Sequence, residues 1–283
     1  MNNKRKFIQL TIAMFMMVAL LLPNRIIINA SSTGSVKQVR SQKEFVRSIY
    51  KNLLAKEKTF TMKYKGDWND LGVKNLDSLL KKVYAIDDKS TSDDFDYLRE
   101  NVKQYSLNIS SNGKTSKLTF KVTYRETKAQ TEKVNKRVQS VLKSLDLEDR
   151  SDYAKIKKIH DYIVNRVSYD QSYSKYTAYN AMVNKSAVCQ GYALLFYKMA
   201  TEADIPCRIV TSSSHAWNIV KLAGKWYHLD ATWDDPVSDK PILRYDYFLK
   251  GSDSMTQAHN LSAEYKTKAF KKAYPISKTD YKK

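Results

Sequence analysis

Cysteine and glycine are scarce in this chain of 283 residues. The only cysteines are Cys189 and Cys207, which is too few for a disulfide framework and leaves no CxxC spacing for a structural zinc site. The seven glycines include no glycine-rich phosphate loop, which argues against nucleotide chemistry. The four histidines form no HxxxH pair. We therefore expect no metal and no other cofactor.

Acidic residues are heavily outnumbered by basic ones. The chain has 49 Lys and Arg against 29 Asp and Glu, a formal net charge of +20 at pH 7. Such a charge favours anionic partners such as wall polymers, lipid head groups or nucleic acid, or serves only solubility. No recognition helix or RNA-binding signature accompanies it, so we expect no nucleic-acid partner. Anionic surface polymers stay open as partners.

Residues 1–30 have the pattern of an export signal. Residues 2–6 are rich in basic side chains, residues 7–22 are apolar, and Ala30 occupies a position typical of signal-peptidase cleavage. Pro23 and Arg25 interrupt the apolar stretch, which favours cleavage over the alternative of an uncleaved membrane anchor. Cleavage after Ala30 removes four basic and no acidic residues and lowers the charge from +20 to +16. We predict a secreted or cell-surface protein.

Hydrophobic periodicity divides the rest of the chain into three parts. We predict an N-terminal region of helices and a hairpin at 31–149, a catalytic domain at 150–250 and a C-terminal extension at 251–283. The polar residues 31–41 are expected to form a flexible lead-in. Helical spacing and alternation then predict a helix at 45–54, a strand at 60–64, a helix at 76–83, a hairpin that turns at Asn112-Gly113, and a helix at 134–145.

The second part begins with a predicted helix at 156–167 and continues into a tyrosine-rich loop. A helix at 189–203 and three strands at 207–211, 215–221 and 225–232 follow. Helices followed by an antiparallel sheet predict the α+β class. The loop tyrosines are expected either to line a cleft or to pack as half-buried side chains; they are Tyr169, Tyr173, Tyr176 and Tyr179.

Cys189 is predicted to begin its helix. A helix N-terminus carries partial positive charge and unpaired N–H groups, which stabilise a thiolate and can bind a developing oxyanion. Two other interpretations stay open. Cys189 could be a small buried hydrophobic residue, or it could form a disulfide with Cys207 that would block a nucleophile.

His215 and Asp230 are predicted to lie on consecutive strands of a hairpin. A turn of two or four residues between the strands would place Trp217 opposite Asp230 and His215 opposite Thr232. His215 and Asp230 are then diagonal neighbours on one face of the sheet, within reach of a hydrogen bond. A turn of three residues would send them to opposite faces. Cysteine, histidine and a carboxylate are together the parts of an activated thiol nucleophile.

Four motifs in residues 152–249 resemble those of the transglutaminase-like superfamily, the papain-related group with a Cys, His and Asp triad. They are Lys158-Ile159-His160-Asp161-Tyr162-Ile163, Ala187-Val188-Cys189-Gln190-Gly191-Tyr192-Ala193, Ser214-His215-Ala216-Trp217-Asn218, and residues 226–236 with the sequence WYHLDATWDDP. The segments Tyr247-Phe248-Leu249 and Ala258-His259-Asn260 also fit. The resemblance is closest to the short, exported bacterial branch. It implies a papain-like core with Cys189 as nucleophile, His215 as base and Asp230 as the acid that orients it.

Two departures from the family pattern limit what the resemblance implies. The tryptophan that supports the oxyanion in the eukaryotic enzymes is missing, because the nearest tryptophan upstream of Cys189 is Trp68. The backbone N–H of Cys189 is then one expected oxyanion donor, with Gln190, Gln171 or Tyr179 as the second and Trp217 in the substrate cleft. No acidic cluster resembles a calcium site, so calcium-dependent crosslinking is not expected.

These patterns predict an exported, thiol-dependent acyl-transfer enzyme that acts on peptide or protein amides, in the first place by hydrolysis. Transamidation is the alternative reaction, because the same acyl-enzyme serves both. A non-catalytic surface module with the same fold, which binds anionic polymer, is the alternative function. The expected substrate is a peptide or protein, for example of the cell envelope.

Overall fold

The computed structural model of the protein describes residues 36–238 and 242–283. The predicted export signal lies outside these residues. Within the described residues, no helix has both the length and the apolar character that a membrane span requires.

The N-terminal region is a four-stranded sheet covered by helices on one face. Its strands β1 (Val36–Val39), β2 (Thr59–Lys65), β3 (Val102–Ser111) and β4 (Thr115–Tyr124) are arranged in the order β1-β2-β4-β3. Helices α1 (Gln42–Leu54) and α2 (Leu76–Tyr84) bury their apolar residues against one sheet face, as does Leu98 of α3 (Phe95–Asn101). The core of this region includes Phe45, Leu80, Met62, Leu118 and Phe120, all less than 5% exposed.

The predicted flexible lead-in is wrong for residues 36–39, which form the edge strand β1. Val36 pairs with Thr61 and Val39 with Tyr64 in parallel register, so backbone hydrogen bonds fix the segment. Val39 is fully buried and anchors the strand to the core. The other side chains of the strand are exposed, as is usual at the edge of a sheet. The segment therefore lacks the hydrophobic alternation from which a strand could be predicted.

The predicted Asn-Gly hairpin is confirmed as β3 and β4. The side chain of Asn112 accepts hydrogen bonds from the backbone N–H groups of Lys114 and Thr115, at 3.1 and 2.8 Å. Gly113 has φ +81°, a left-handed conformation that glycine adopts without steric cost. The alternating residues of the two strands therefore fall on a buried and an exposed face, as their pattern predicts.

Helix α3 was not predicted, because a contact distant in sequence stabilises it. It has seven residues and begins at Phe95, whose φ is +51°. Its Asp96 is 2% exposed and accepts two hydrogen bonds from the guanidinium of Arg208, at 2.7 and 3.0 Å. This buried pair joins the N-terminal region to the second half of the chain, and hydrophobic spacing gives no sign of it.

The second half carries a long helix packed on an antiparallel sheet. Helices α4 (Lys128–Ser144) and α5 (Asp152–Val164) lead through the short parallel strands β5 (Ser168–Tyr169) and β6 (Ser186–Ala187) to α6 (Cys189–Glu202). The strands β7 (Cys207–Thr211), β8 (Ala216–Leu222) and β9 (Lys225–Leu229) follow in that order in one sheet. The Asn218 amide in β8 donates to the backbone oxygen of Ala193 in α6 at 3.1 Å, which ties helix to sheet. The α+β fold is confirmed.

The turn between β8 and β9 has two residues, which meets the condition for the predicted register. Leu222 pairs with Lys225, and Ala223 and Gly224 between them have φ +49° and +81°. Positive φ at both central residues is the type I′ pattern that suits a two-residue hairpin. The ladder continues to Asn218 and Leu229, so Trp217 and Asp230 are the next opposing positions.

The C-terminal residues pack along the outer edge of this sheet. Isolated bridges join His228 of β9 to Lys250 and Trp226 of β9 to Ile276. A short helix, α7 (Lys268–Ala273), lies between them in sequence. This arrangement brings residues beyond 250 close to the end of β9, where Asp230 lies.

Candidate active site

Cys189 lies at the first residue of α6, as predicted, and its side chain is partly exposed. The first turn of an α-helix leaves N–H groups without intrahelical acceptors, so this position combines a thiol with oxyanion donors. Gly191 allows the close packing of this turn. A Cβ at that residue would lie 2.5 Å from the Cβ of Ala187 and 2.9 Å from the backbone oxygen of Thr177.

His215 and Asp230 form the predicted hydrogen bond at the ends of β8 and β9. The distance between His215 Nε2 and Asp230 Oδ2 is 2.5 Å, and the two side chains are 9% and 1% exposed. The Cys189 thiol lies close enough to the His215 imidazole to help raise its pKa. The thiol, the imidazole and the carboxylate therefore form one electrostatically coupled group.

His215 and Asp230 stabilise the charged form of each other. Burial alone would lower the pKa of His215, but the charge of Asp230, its hydrogen bond and the neighbouring Cys189 raise it to about 10. Burial alone would raise the pKa of Asp230, but His215 and His259 hold it well below its usual range. At neutral pH an imidazolium therefore lies between an ionised carboxylate and the sulfur, where it stabilises negative charge on that sulfur.

His259 is the site residue that the sequence argument missed. Its Nε2 is 2.9 Å from Asp230 Oδ2, and its Nδ1 is 2.9 Å from the hydroxyl of Thr256. The backbone N–H groups of Thr232 and Trp233 donate to the other carboxylate oxygen, at 2.9 and 3.2 Å. Asp230 thus has four partners, which fix its orientation and favour its ionised form. The Ala258-His259-Asn260 segment was the signal that could have indicated this role.

Trp217 lies beneath His215, and this corrects its expected place in the substrate cleft. Its ring stacks on the His215 imidazole with centroids 5.6 Å apart, and the residue is 1% exposed. Its indole N–H donates to Nδ1 of His228 at 2.9 Å. Burial and then the neighbouring His259 lower the pKa of His228 to about 4, so this imidazole is a neutral acceptor. Trp217 positions the histidine and has little surface to offer a substrate.

The comparison with protein families agrees with this geometry. Residues 139–231 match the family described as the transglutaminase-like superfamily, and the match includes Cys189, His215 and Asp230. This chain carries a transglutaminase-like domain.

Relatives of the transglutaminase-like domain include the kyphoscoliosis peptidases. The Mus musculus protein is 24% identical over 136 residues, which is 40% of this chain and 21% of that protein. The Homo sapiens protein is 25% identical over 127 residues, or 36% of this chain and 19% of that protein. The matched part thus spans about a fifth of these curated relatives. A solved structure titled as that of a TGase covers 71% of this chain and 56% of its own at 12% identity, with a TM-score of 0.35.

Two of the expected oxyanion donors in the transglutaminase-like domain have other partners. The Gln190 side-chain amide is buried and lies 3.1 Å from the carboxylate of Glu100 in α3. The backbone N–H of Tyr179 donates to Glu126 at 2.7 Å, and the Tyr179 ring lies beside Lys133, 5.9 Å from its ammonium. Gln171 is exposed in the loop after β5. A role as the second oxyanion donor therefore stays a prediction for Gln190, Tyr179 and Gln171.

The tyrosine-rich loop is held near Cys189 by one carboxylate. Asp170 accepts hydrogen bonds from the backbone N–H groups of Ser174 and Lys175, at 2.8 and 3.0 Å. Burial and then the charge of Cys189 raise the pKa of Tyr169 to about 12, which places this phenol near the thiol. Tyr173 is 63% exposed and packs edge to face on Tyr169. Tyr169 and Tyr173 therefore form an aromatic pair in this loop.

A second histidine–aspartate pair supports the loop after β9. His160 in α5 lies 3.0 Å from Asp234, and both side chains are fully buried. Asp234 also accepts from the backbone N–H of Tyr247 at 2.9 Å. Its neighbour Asp235 accepts a hydrogen bond of 2.5 Å from Tyr192 in α6. The adjacent carboxylates thus serve different partners, in agreement with a structural role.

Both cysteines are free, so the Cys189–Cys207 disulfide is not formed in this structure. Cys207 packs at the start of β7 and is 7% exposed. Burial and then the charge of Asp96 raise the pKa of its thiol well above the usual value. Cys207 therefore lacks the exposure and the environment of a reactive thiol.

His215, Asp230 and His259 also bring three potential metal ligands within 4.8 Å of one another. The hydrogen bonds of both imidazoles to Asp230 account for this cluster, since each Nε2 lies at hydrogen-bond distance from the same carboxylate oxygen. The expectation of no metal stays a prediction. A separate open cavity of about 600 Å³ is lined by residues that include Tyr153, Lys157 and Tyr281. None of the three potential metal ligands lines it.

Proposed function

We propose that this protein is a thiol-dependent acyl-transfer enzyme that cleaves peptide or protein amides through a thioester at Cys189. The observation that carries the proposal is that His215 forms a hydrogen bond with the Asp230 carboxylate while its pKa responds to the neighbouring Cys189 thiol. This order of groups supplies a nucleophile, a proton carrier and a residue that orients the carrier. Cys189, His215 and Asp230 are the proposed catalytic residues.

The proposed reaction proceeds in two halves. The Cys189 sulfur attacks the carbonyl carbon, and the oxyanion that forms is bound by the backbone N–H of Cys189. The C–N bond then breaks as His215 gives its proton to the leaving nitrogen. In the second half a water molecule gives a proton to His215 and attacks the thioester. The C–S bond breaks, which releases a carboxylic acid and restores the sulfur anion beside the imidazolium.

Hydrolysis is the proposed outcome, with water as the acceptor. The curated relatives that match this domain are named peptidases, which favours this choice. A primary amine that reaches the thioester in place of water would give transamidation by the same route. A protein that keeps the fold only to bind a surface polymer would form no thioester.

Mass spectrometry of the reaction products tests the proposal. A pool of peptides is incubated with the protein in water enriched in ¹⁸O, with monodansylcadaverine as a competing amine. Hydrolysis places one ¹⁸O atom in each new carboxyl group, whereas transamidation places the dansyl amine there. We expect labelled carboxyl groups from the wild type and none from the Cys189→Ala variant.

The matched control is Cys207→Ala, which removes the other thiol of the chain. Because Cys207 is buried and takes no part in the proposed chemistry, this variant should keep the activity. Dansylated products in place of ¹⁸O would make the protein a transamidase. No product from the wild type, or the same product from Cys189→Ala, would overturn the enzyme proposal in favour of the binding module.

We also propose that the enzyme works outside the cytoplasm, as a secreted or surface-associated protein. The basic and apolar segments of residues 1–30 support this location. Expression of the full chain with its own N-terminus, followed by intact-mass analysis of the cell-free medium and the cell fraction, tests it. A product that begins after Ala30 is expected, whereas a full-length product kept in the cytoplasm would contradict the location.

A further inference from the structure

One face of the N-terminal sheet is open to solvent. The helices α1, α2 and α3 cover the face that carries Phe60, Met62, Leu118 and Phe120. The alternate positions of the same strands point the other way, and Lys63 and Lys121 on that side are exposed. We call this second side the outer face. It consists of alternate residues from all four strands: Val36 and Gln38 in β1; Thr59, Thr61, Lys63 and Lys65 in β2; Gln104, Ser106, Asn108 and Ser110 in β3; and Thr115, Lys117, Thr119, Lys121 and Thr123 in β4.

The outer face is basic and has no acidic residue. Its residues include four lysines, Lys63, Lys65, Lys117 and Lys121, and not one Asp or Glu. Lys63 and Lys117 stand directly opposite each other in the β2–β4 register. Like charges in that position destabilise a sheet, so this pair costs the fold stability. In the part of the chain that the structure describes, no salt bridge involves Lys63, Lys117 or Lys121.

A basic groove continues the outer face around the edge of the sheet. The groove lies between β1 and α1 and has a volume of about 320 Å³. Four of its six lining residues are basic, and the others are Gln38 and Glu44; the basic ones are Lys37, Arg40, Arg47 and Lys51. Gln38 pairs with Lys63, so the groove adjoins the lysines of the outer face. The backbone N–H of Arg40 already donates to Glu44 at 2.8 Å.

We propose that the outer face and this groove bind an extended anionic glycopolymer. The side chains between the lysines are hydroxyls and amides, such as Thr59, Thr123 and Asn108, which suit a chain rich in hydroxyl groups. Lys117 and Lys121 are four residues apart on β4, a separation of about 14 Å. The lysines thus match charges spread along a polymer and not a single small ion.

Other occupants fit this surface less well. All the aromatic residues of the four strands belong to the covered face, so the outer face has no ring on which a nucleic-acid base could stack. Val36 is the one apolar side chain on the outer face, which gives a membrane little to bury. Residues 1–35 of the same chain carry four basic and no acidic residues, so charge repulsion opposes their docking here.

Binding to dextran sulfate, measured with the full chain by titration calorimetry at 0.15 M salt, tests the proposal. The test variant is Lys63→Gln, Lys117→Gln and Lys121→Gln together. The matched control is Lys128→Gln, Lys136→Gln and Lys143→Gln on α4, where three exposed lysines are lost from another surface. Both triple variants lower the net charge by the same amount, so they differ only in where the charge is removed.

We expect the outer-face variant to bind dextran sulfate at least ~10-fold more weakly, with a dependence on log salt that is shallower by roughly one per lysine removed. The α4 variant should change the affinity less than about twofold, and uncharged dextran should not bind. Equal losses in the two variants would show that net charge alone acts and would overturn the proposal. Tighter binding of a single-stranded oligonucleotide, or of phosphatidylserine vesicles, than of dextran sulfate would overturn the choice of partner.

This proposal is independent of the proposed acyl transfer. The outer-face variant removes no residue near Cys189, so its rate of Cys189 alkylation should equal that of the wild type. That measurement also shows whether the variant is folded. Failure of polymer binding with normal alkylation therefore leaves the proposed enzyme function untouched.

Discussion

The His215–Asp230 pair should make the stability of the fold depend on pH between 7 and 9. The pKa of an imidazole in an unfolded chain is about 6.5, whereas that of His215 in the folded protein is about 10. A group with a raised folded pKa stabilises the fold fully below its unfolded pKa and loses this contribution as the pH rises through the folded value. Protonated His215 therefore favours folding at pH 7 and does so much less at pH 9.

The size of the effect follows from the difference in pKa. Each pKa unit corresponds to about 1.4 kcal/mol. Linkage then gives His215 a contribution of about 4 kcal/mol at pH 7 and about 1.4 kcal/mol at pH 9, a loss of about 2.5 kcal/mol. Asp230 adds nothing to this slope, because its pKa is lowered and it stays ionised throughout the interval.

Urea unfolding of paired variants measures this loss. Cys189→Ala serves as the reference protein, because it removes the titration of the thiol itself. The free energy of unfolding is compared with that of Cys189→Ala combined with His215→Gln, at pH 7 and pH 9. We expect the difference between the two proteins to shrink by up to about 2.5 kcal/mol over this interval. The shrinkage falls below this value to the extent that removal of Cys189 lowers the pKa of His215.

The control for this experiment is His228→Gln in the same background. The pKa of His228 is lowered to about 4, so this buried imidazole is neutral at both pH values and its replacement should have nearly the same effect at each. A His215→Gln effect that is also independent of pH would refute the argument, because it would mean that His215 carries no charge in the folded protein.

Two further substitutions probe the support of the site. His259→Phe keeps a ring but removes a donor from Asp230; since such a bond to a charged group contributes about 1.5 to 3 kcal/mol, the pKa of Asp230 should rise. As the pH is lowered, the rate of Cys189 alkylation should then begin to fall at a pH about one to two units higher than in the wild type. An unchanged pH profile would mean that the His259 side chain only fills space. Gly191→Ala places a methyl group 2.5 Å from the Cβ of Ala187 and should lower the free energy of urea unfolding by about 1 to 3 kcal/mol; undiminished stability would show that the turn before α6 has room.

The register of the active-site hairpin could be predicted because turn length and strand period are strict. A two-residue turn at Ala223 and Gly224 leaves one register, and that register brings His215 and Asp230 to the same face. The start of α6 at Cys189 followed in the same way from the apolar stripe of the helix. Local periodicity was therefore sufficient to predict the helix start at Cys189 and the common sheet face of His215 and Asp230.

Other parts of the site depend on contacts distant in sequence. His259 reaches Asp230 across 29 positions, and Trp217 is covered by residues of the C-terminal extension, which no local pattern shows. The Gln190 side chain lies against Glu100, 90 positions earlier, which no local pattern shows either. Such contacts depend on how the N-terminal region and the C-terminal extension pack on the catalytic sheet. The sequence around each residue contains no information about that packing.

The rate of Cys189 alkylation by iodoacetamide at pH 6 tests the central claim most directly. Mass spectrometry follows the labelling of each cysteine in the wild type and in His215→Ala, and the buried Cys207 serves as the internal reference. An ordinary thiol, with a pKa of about 8.5, is almost wholly protonated at this pH and reacts slowly. We predict that wild-type Cys189 reacts at least ~10-fold faster than in His215→Ala, because the imidazolium stabilises the sulfur anion. Equal, slow labelling in both proteins would contradict the claim that this site activates a thiol.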